Sequence, residues 1–184
     1  MEGAFHPTLH GPDVRLEADG MRICGGTTSW SAVCGEALSS SGAQVTVRLD
    51  TMGMGTPSVG LLGPGASLEK RLGHQADGSV GVFCGGEVYV NGKRQPDVGG
   101  FSREDLLHLV VCAETGILTV LKYDRDGRHC VTLLQQEGPF LSEGWRFAVG
   151  NGGGGAWQAV PTPDSGRSAD DAYAPSGGPT LQKL

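Results

Sequence analysis

Aromatic side chains make up only 6% of the 184 residues, and the 14 Lys and Arg are outnumbered by 20 Asp and Glu, for a formal charge of −6. A chain so short of positive charge carries no stripe able to hold a phosphate backbone, so nucleic acid is not an expected partner. Long apolar runs are missing as well. The longest lies near Leu106 to Ala113, is interrupted by His108 and falls far short of the ~20 residues of a membrane helix, so no membrane partner is expected. The opening MEGAFHPTLHGPD has no basic end leading into an apolar run. No secretory signal is therefore expected, and the protein is placed in the cytoplasm.

Paired cysteine spacing is also lacking. None of Cys24, Cys34, Cys84, Cys112 and Cys130 forms a CxxC pair, and their number is odd. This pattern argues against a zinc site or a disulfide framework. Cys84 and Cys112 sit in apolar strand-like runs, where a reduced thiol is expected to act as a small buried hydrophobe.

What the chain does have is glycine and proline, 32 and 10 residues, and an apolar period of two almost throughout, with helical periodicity nearly absent. Val14, Leu16 and Ala18 are followed by Asp19-Gly20 and then Met21 and Ile23, the pattern of a hairpin with an Asp-Gly turn. AQVTVRLD, PSVGLLG, SVGVFC, EVYVN, LLHLVVCA, ILTVLKY, HCVTLLQ, WRFAVG and AWQAV follow at intervals of about ten residues, the spacing of a sandwich or barrel. Asn91-Gly92 suits a two-residue type I′ turn, because both central residues need positive φ. In FSREDLL, residues 101–107, Ser102 precedes Glu104 and Asp105, the chemistry of one capped helical turn.

The expected organisation is an N-terminal lead at 1–12, one β-domain at 13–160 and a tail at 161–184. The tail is rich in Pro, Gly, Ser and Asp and has too few large apolar residues to offset its ordering entropy, so it is expected to be flexible. Tyr173 and Leu181 are its candidates for docking.

Residues 30–160 resemble a SPRY domain. That family runs Gly-x-Ile-Tyr-x-Asn-Gly, a loop, an aromatic, Gly-Asp, an apolar strand, an acidic turn, a Gly-Thr-Leu-x-Phe strand and a second Asn-Gly. The matching pieces are GGEVYVNG, Phe101, Glu104-Asp105, LLHLVVCAET, GILTVLKY and Asp126-Gly127, with WRFAVGNGGG in place of the family's Leu-Tyr-Pro-Ala-Val strand. Upstream, SSSGAQVTVRLD and SVGLL keep the order. The departures are Val45-Thr46 for the family's Trp-Glu, Glu104 and His108 for two of its glycines, and Val120-Leu121 for its Phe, which mark a divergent member. The resemblance implies an all-β, antiparallel two-sheet bent β-sandwich of the concanavalin-like jelly-roll kind. It also implies a protein-interaction module that grips a peptide or partner surface with loops at one end. Alternation and turn signals independently suit a two-sheet sandwich and, equally, a closed barrel.

Enzymatic patterns fail on context. Gly150, Gly152 and Gly155 fit GxGxxG, but AWQAV reads as a strand where a dinucleotide site needs a helix, so GNGGGG is expected to be a wide hairpin loop. Asp124 and Asp126 lack the further ligands and flanking helices of a calcium loop. None of the five histidines stands in a catalytic pattern, there is no GxSxG elbow, and His108 reads as a satisfied interior or edge histidine. The chain is therefore not expected to be an enzyme, and no cofactor, metal or catalytic residue is assigned.

The loops remain, because a rigid sandwich displays its connections as a binding surface. Exposed Arg, Tyr and Trp are common interface anchors, and the candidates are Trp30, Arg71, His74, Lys93, Arg94, Gln95, Tyr123 and Arg125. The expected partner is a protein or peptide. A carbohydrate-binding lectin-type domain is the alternative, and a hydrolase whose residues meet only in space is a third reading.

Overall fold

A computed structural model describes residues 5–17, 20–25, 31–35, 37–76, 78–151 and 153–162. Trp30, Asp19 and the tail from 163 onward lie outside the described residues. Within them there are fourteen strands and no helix. The first sheet holds, in spatial order, β1 (Phe5–His10), β4 (Ser31–Cys34), β13 (Arg146–Gly150), β6 (Ser58–Leu62), β7 (Ser79–Phe83), β8 (Val88–Val90) and β9 (Lys93–Gln95). The second holds β12 (Cys130–Gln136), β11 (Leu118–Tyr123), β10 (Leu106–Val111), β5 (Ala43–Thr51), β14 (Ala156–Ala159), β3 (Arg22–Gly25) and β2 (Val14–Glu17). Every pairing is antiparallel. Each sheet keeps two edges, so the architecture is a sandwich and the barrel alternative is set aside.

The period-two residues form the layer between the sheets. Val59, Leu61, Val80, Val82, Val88 and Val90 of the first sheet meet Val45, Val47, Leu49, Leu107, Leu109, Val120 and Trp157 of the second in one apolar cluster. Trp157 is 0% exposed and its indole N–H donates to the Gly150 carbonyl at 3.2 Å, so its one polar atom is satisfied inside the core. Phe140 and Trp145 add an edge-to-face pair with centroids 4.9 Å apart.

Several local expectations change. Residues 1–12, read as a lead, contribute β1 at the edge of the first sheet. FSREDLL forms a turn rather than a helix. Asp105 Oδ2 accepts from both the Ser102 backbone N–H and hydroxyl, at 2.7 and 3.0 Å, and Glu104 sits at φ 71°, which no α-helix contains. GNGGGG is not a hairpin loop, since β13 and β14 lie in different sheets and the glycines cross between them. The Asn91-Gly92 turn matches its expectation, with φ of 50° and 78°. Cys24, Cys84 and Cys112 are free thiols that are only half-buried, and Cys130 is exposed, because Cys84 and Cys112 fall one residue beyond their strands instead of inside them.

Candidate functional site

The outward face of the first sheet is built from small residues, and that smallness admits a second layer of chain. Leu72 packs with Leu62 and Ala148 in a separate apolar cluster, drawing residues 63–76 of the β6–β7 connection down onto the strands. Backbone nearly touches backbone there. A Cβ on Gly81 would lie 2.6 Å from the Leu72 carbonyl oxygen, and one on Gly73, at φ 78°, would lie 2.6 Å from that of Tyr89. The loop is tied at both ends. The Gln75 amide bonds both the N–H and the carbonyl of Ser67, at 2.6 and 2.8 Å, and the Gly92 N–H donates to the Gly73 carbonyl at 2.8 Å.

This seating delivers Arg71 and His74 onto two aromatic rings. Phe83 and Tyr89 alternate with Val82, Val88 and Val90, which face the core, so both rings point outward. The His74 imidazole stacks on Tyr89 with centroids 3.8 Å apart and meets Phe83 edge-on at 5.5 Å, while Phe83 and Tyr89 are themselves edge-to-face at 5.8 Å. The Arg71 guanidinium carbon lies 5.8 Å from the Phe83 centroid, within cation–π range. Burial against these rings and then the Arg71 charge lower the His74 pKa, so the ring is neutral at pH 7.

The other side of Tyr89 is bounded by β9. Arg94 is its cross-strand partner, and its guanidinium donates to both carboxylate oxygens of Asp97 at 3.0 Å. Lys93 is exposed, and the Gln95 amide donates to the Lys93 carbonyl at 3.4 Å. Arg71, His74, Lys93, Arg94 and Gln95, chosen from two separate stretches of sequence, therefore converge on one edge of one sheet.

The other candidates do not join them. Tyr123 and Arg125 belong to the second sheet and the turn after β11. Tyr123 is 6% exposed and edge-on to His108 at 6.5 Å, and Arg125 Nη1 pairs with Glu104 at 2.8 Å. Trp30 lies outside the described residues. Phe83 and Tyr89 were missed as site residues; their signal was the polar-side position of an aromatic ring in an otherwise valine-lined alternation.

Groups with chemical potential elsewhere are structurally engaged. His108 is 5% exposed, its Nδ1 is 2.8 Å from Thr46 Oγ1, and burial pulls its pKa down to about 4. Asp124 closes its own turn, accepting from the Arg128 N–H at 2.8 Å and pairing with His129 Nδ1 at 2.6 Å. Among the described residues no group of three or more His, Cys, Asp or Glu is placed to hold a metal. Trp145 and Trp157 are core residues, 5% and 0% exposed, so neither serves as a sugar-stacking platform.

No protein-family profile matches the sequence, and no curated protein matches it. Solved structures do match. A TRIM65 PSpry domain superposes with a TM-score of 0.68 at 15% identity, covering 88% of this chain and 93% of that one. The SPRY domain of human HERC1 gives 0.66 at 13% identity, covering 85% and 96%. The fold is that of a SPRY domain. Stonustoxin matches at 0.69 and 15% identity over 87% of this chain but only 27% of its own. Within the SPRY fold of this chain, the Arg71–His74–Tyr89–Arg94 patch lies at the β9 edge of the first sheet. No helix among the described residues is long and apolar enough to cross a membrane.

Proposed function

We propose that the chain is a non-enzymatic protein-interaction module and that it binds a peptide or partner surface at the patch formed by Arg71, His74, Tyr89, Lys93, Arg94 and Gln95. The likeness to SPRY domains of TRIM65 and HERC1 supports an interaction role in general. The observation that carries the location is the convergence of the loop-borne Arg71 and His74 on Phe83 and Tyr89 through ring contacts of 3.8 to 5.8 Å, with Arg94 set across from Tyr89 by the strand register. Flat aromatic and guanidinium groups on a rigid base present large contact area and lose little side-chain freedom on binding. Three cations, Arg71, Lys93 and Arg94, against two carboxylates, Asp97, which pairs with Arg94, and Glu87, whose charge also acts on it, leave a positive excess that favours a partner segment carrying Asp or Glu, which would compete with Asp97 for Arg94.

The test is affinity capture with quantitative mass spectrometry, comparing the wild-type chain with an Arg71→Glu, Lys93→Glu, Arg94→Glu variant. Proteins retained by the first are lost by the second, with affinity for an isolated partner falling at least about tenfold. An unchanged set of retained proteins overturns the assignment of this surface.

A further inference from the structure

The His74 imidazole is stacked on one side only. Tyr89 lies against it with centroids 3.8 Å apart and planes inclined by 27°, and Phe83 meets it edge-on, yet His74 is an exposed residue. Its accessible surface is therefore the face turned away from Tyr89 and the rim of the ring. The seating beneath it is firm. Leu72, two residues earlier, is 1% exposed, the His74 N–H donates to the Arg71 carbonyl at 3.2 Å, and the Gly73 carbonyl accepts from the Gly92 N–H at 2.8 Å. A flat, uncharged surface held in this way loses little freedom when a second flat group lies on it.

In a peptide the flat groups with a π-face are the aromatic rings and the guanidinium, and the surroundings decide between them. Arg71 and Lys93 are exposed and form no ion pair among the described residues. Arg94 is only partly engaged. Both of its bonds to Asp97 leave from Nη2, at 3.0 Å each, so Nε and Nη1 keep their donors without a hydrogen-bond partner among the described residues. Three cations repel an incoming guanidinium and attract a carboxylate. An aromatic ring is thus the group that suits the His74 face, and a carboxylate the group that suits its neighbours.

The strand register sets the distance between the two. Arg94 stands opposite Tyr89 across β8 and β9, a placement that puts Cβ atoms about 5 Å apart, and His74 rides on Tyr89. In an extended segment, side chains two residues apart point the same way and are separated by about 7 Å. One such step leads from the ring on His74 to the guanidinium of Arg94, whose side chain is 57% exposed.

Building on the patch proposed above as the partner site, and resting on that reading, we propose that the segment bound there is extended and carries an aromatic residue and an Asp or Glu two positions apart. The aromatic ring stacks on the open face of His74, and the carboxylate accepts from the free nitrogens of Arg94. Arg71 and Lys93 hold further acidic residues of the same segment.

A displayed library of random heptapeptides is selected on the full chain and, in parallel, on its Arg71→Glu, Lys93→Glu, Arg94→Glu variant. The wild type enriches peptides with Tyr, Phe or Trp two positions from Asp or Glu, and the variant does not retain them. Replacing the aromatic residue of an enriched peptide with Ala weakens its binding to the wild type by about three- to tenfold, the range of one stacked pair. The same replacement changes binding to a His74→Ala chain little, and His74→Phe, which restores a flat face, restores the dependence. Enriched peptides that are acidic without an aromatic preference, and are still lost on the charge variant, overturn the aromatic–acidic pairing and leave the patch as the partner site. Peptides held equally by the charge variant overturn the patch and the pairing together. An aromatic dependence undiminished in a folded His74→Ala chain, or no enrichment at all, also overturns the pairing.

Discussion

His74 lies stacked on Tyr89, centroids 3.8 Å apart and planes inclined by 27°, although the two residues come from a loop and from a strand that follows it. The contact joins the layer that carries Arg71 to the strand that faces Arg94. Replacing His74 with Ala removes a stacked pair worth about 1 kcal/mol together with its edge contact to Phe83. Chemical denaturation should report a loss near that size, and partner affinity should fall several-fold. An equal loss of stability with full partner affinity would separate the contact from binding.

Gly81→Ala tests the loop seating directly. The new Cβ would stand 2.6 Å from the Leu72 carbonyl oxygen, and that atom belongs to backbone that cannot rotate aside. We expect about 1–3 kcal/mol of destabilisation, the cost of overpacking, read as a Tm lower by about 2–12 °C for a domain of this size. A variant as stable as the wild type would show that the loop does not rest on β7.

Acid should weaken the fold through His108. Its folded pKa is about 4 against a usual 6.5, so between those values the unfolded chain binds more protons and stability drops as the pH falls; above 6.5 the contribution is flat. The depression corresponds to about 3 kcal/mol at most. His108→Gln should remove this part of the acid sensitivity, and urea titrations at pH 7 and pH 4.5 on both proteins measure it.

Arg125→Ala should do little. Its ion pair with Glu104 joins side chains that are 77% and 36% exposed, the class of pair worth 0–1 kcal/mol. Both stability and partner capture should stay near wild type, in contrast to the Arg71, Lys93 and Arg94 variant.

Much of this architecture was legible in local pattern. Alternation in AQVTVRLD, SVGVFC and ILTVLKY marks strands with one face in the core, and the Asn91-Gly92 pair marks its turn by backbone conformation alone. The strands that escaped notice are β1, with a Pro in FHPTLH, the four-residue β4, and β9, whose Lys93–Gln95 carries no apolar side chain. Edge and short strands are held by backbone pairing, which leaves little trace in a hydrophobic pattern. Arg71, His74 and Arg94 could be singled out as loop-borne anchors. Their meeting over Phe83 and Tyr89 could not, because it depends on Leu72 finding Leu62 and Ala148 across the sheet. Likewise Tyr123 is an outward position by alternation, and only the assembled face reveals that it is nearly closed to solvent.

The two final strands occupy the middle of their sheets, β13 between β4 and β6 and β14 between β5 and β3. During synthesis, therefore, the first sheet cannot close until residue 150 has emerged and the second until residue 159, and a nascent chain that stops before Arg146 holds both sheets split into halves with bare inner hydrogen-bonding edges. Such a topology folds late and all at once, with non-local pairing deferred to the end of the domain. A ribosome stalled before Arg146 would display four open edges more than the finished molecule, those of β4, β6, β5 and β3, which raises the hazard of aggregation during translation.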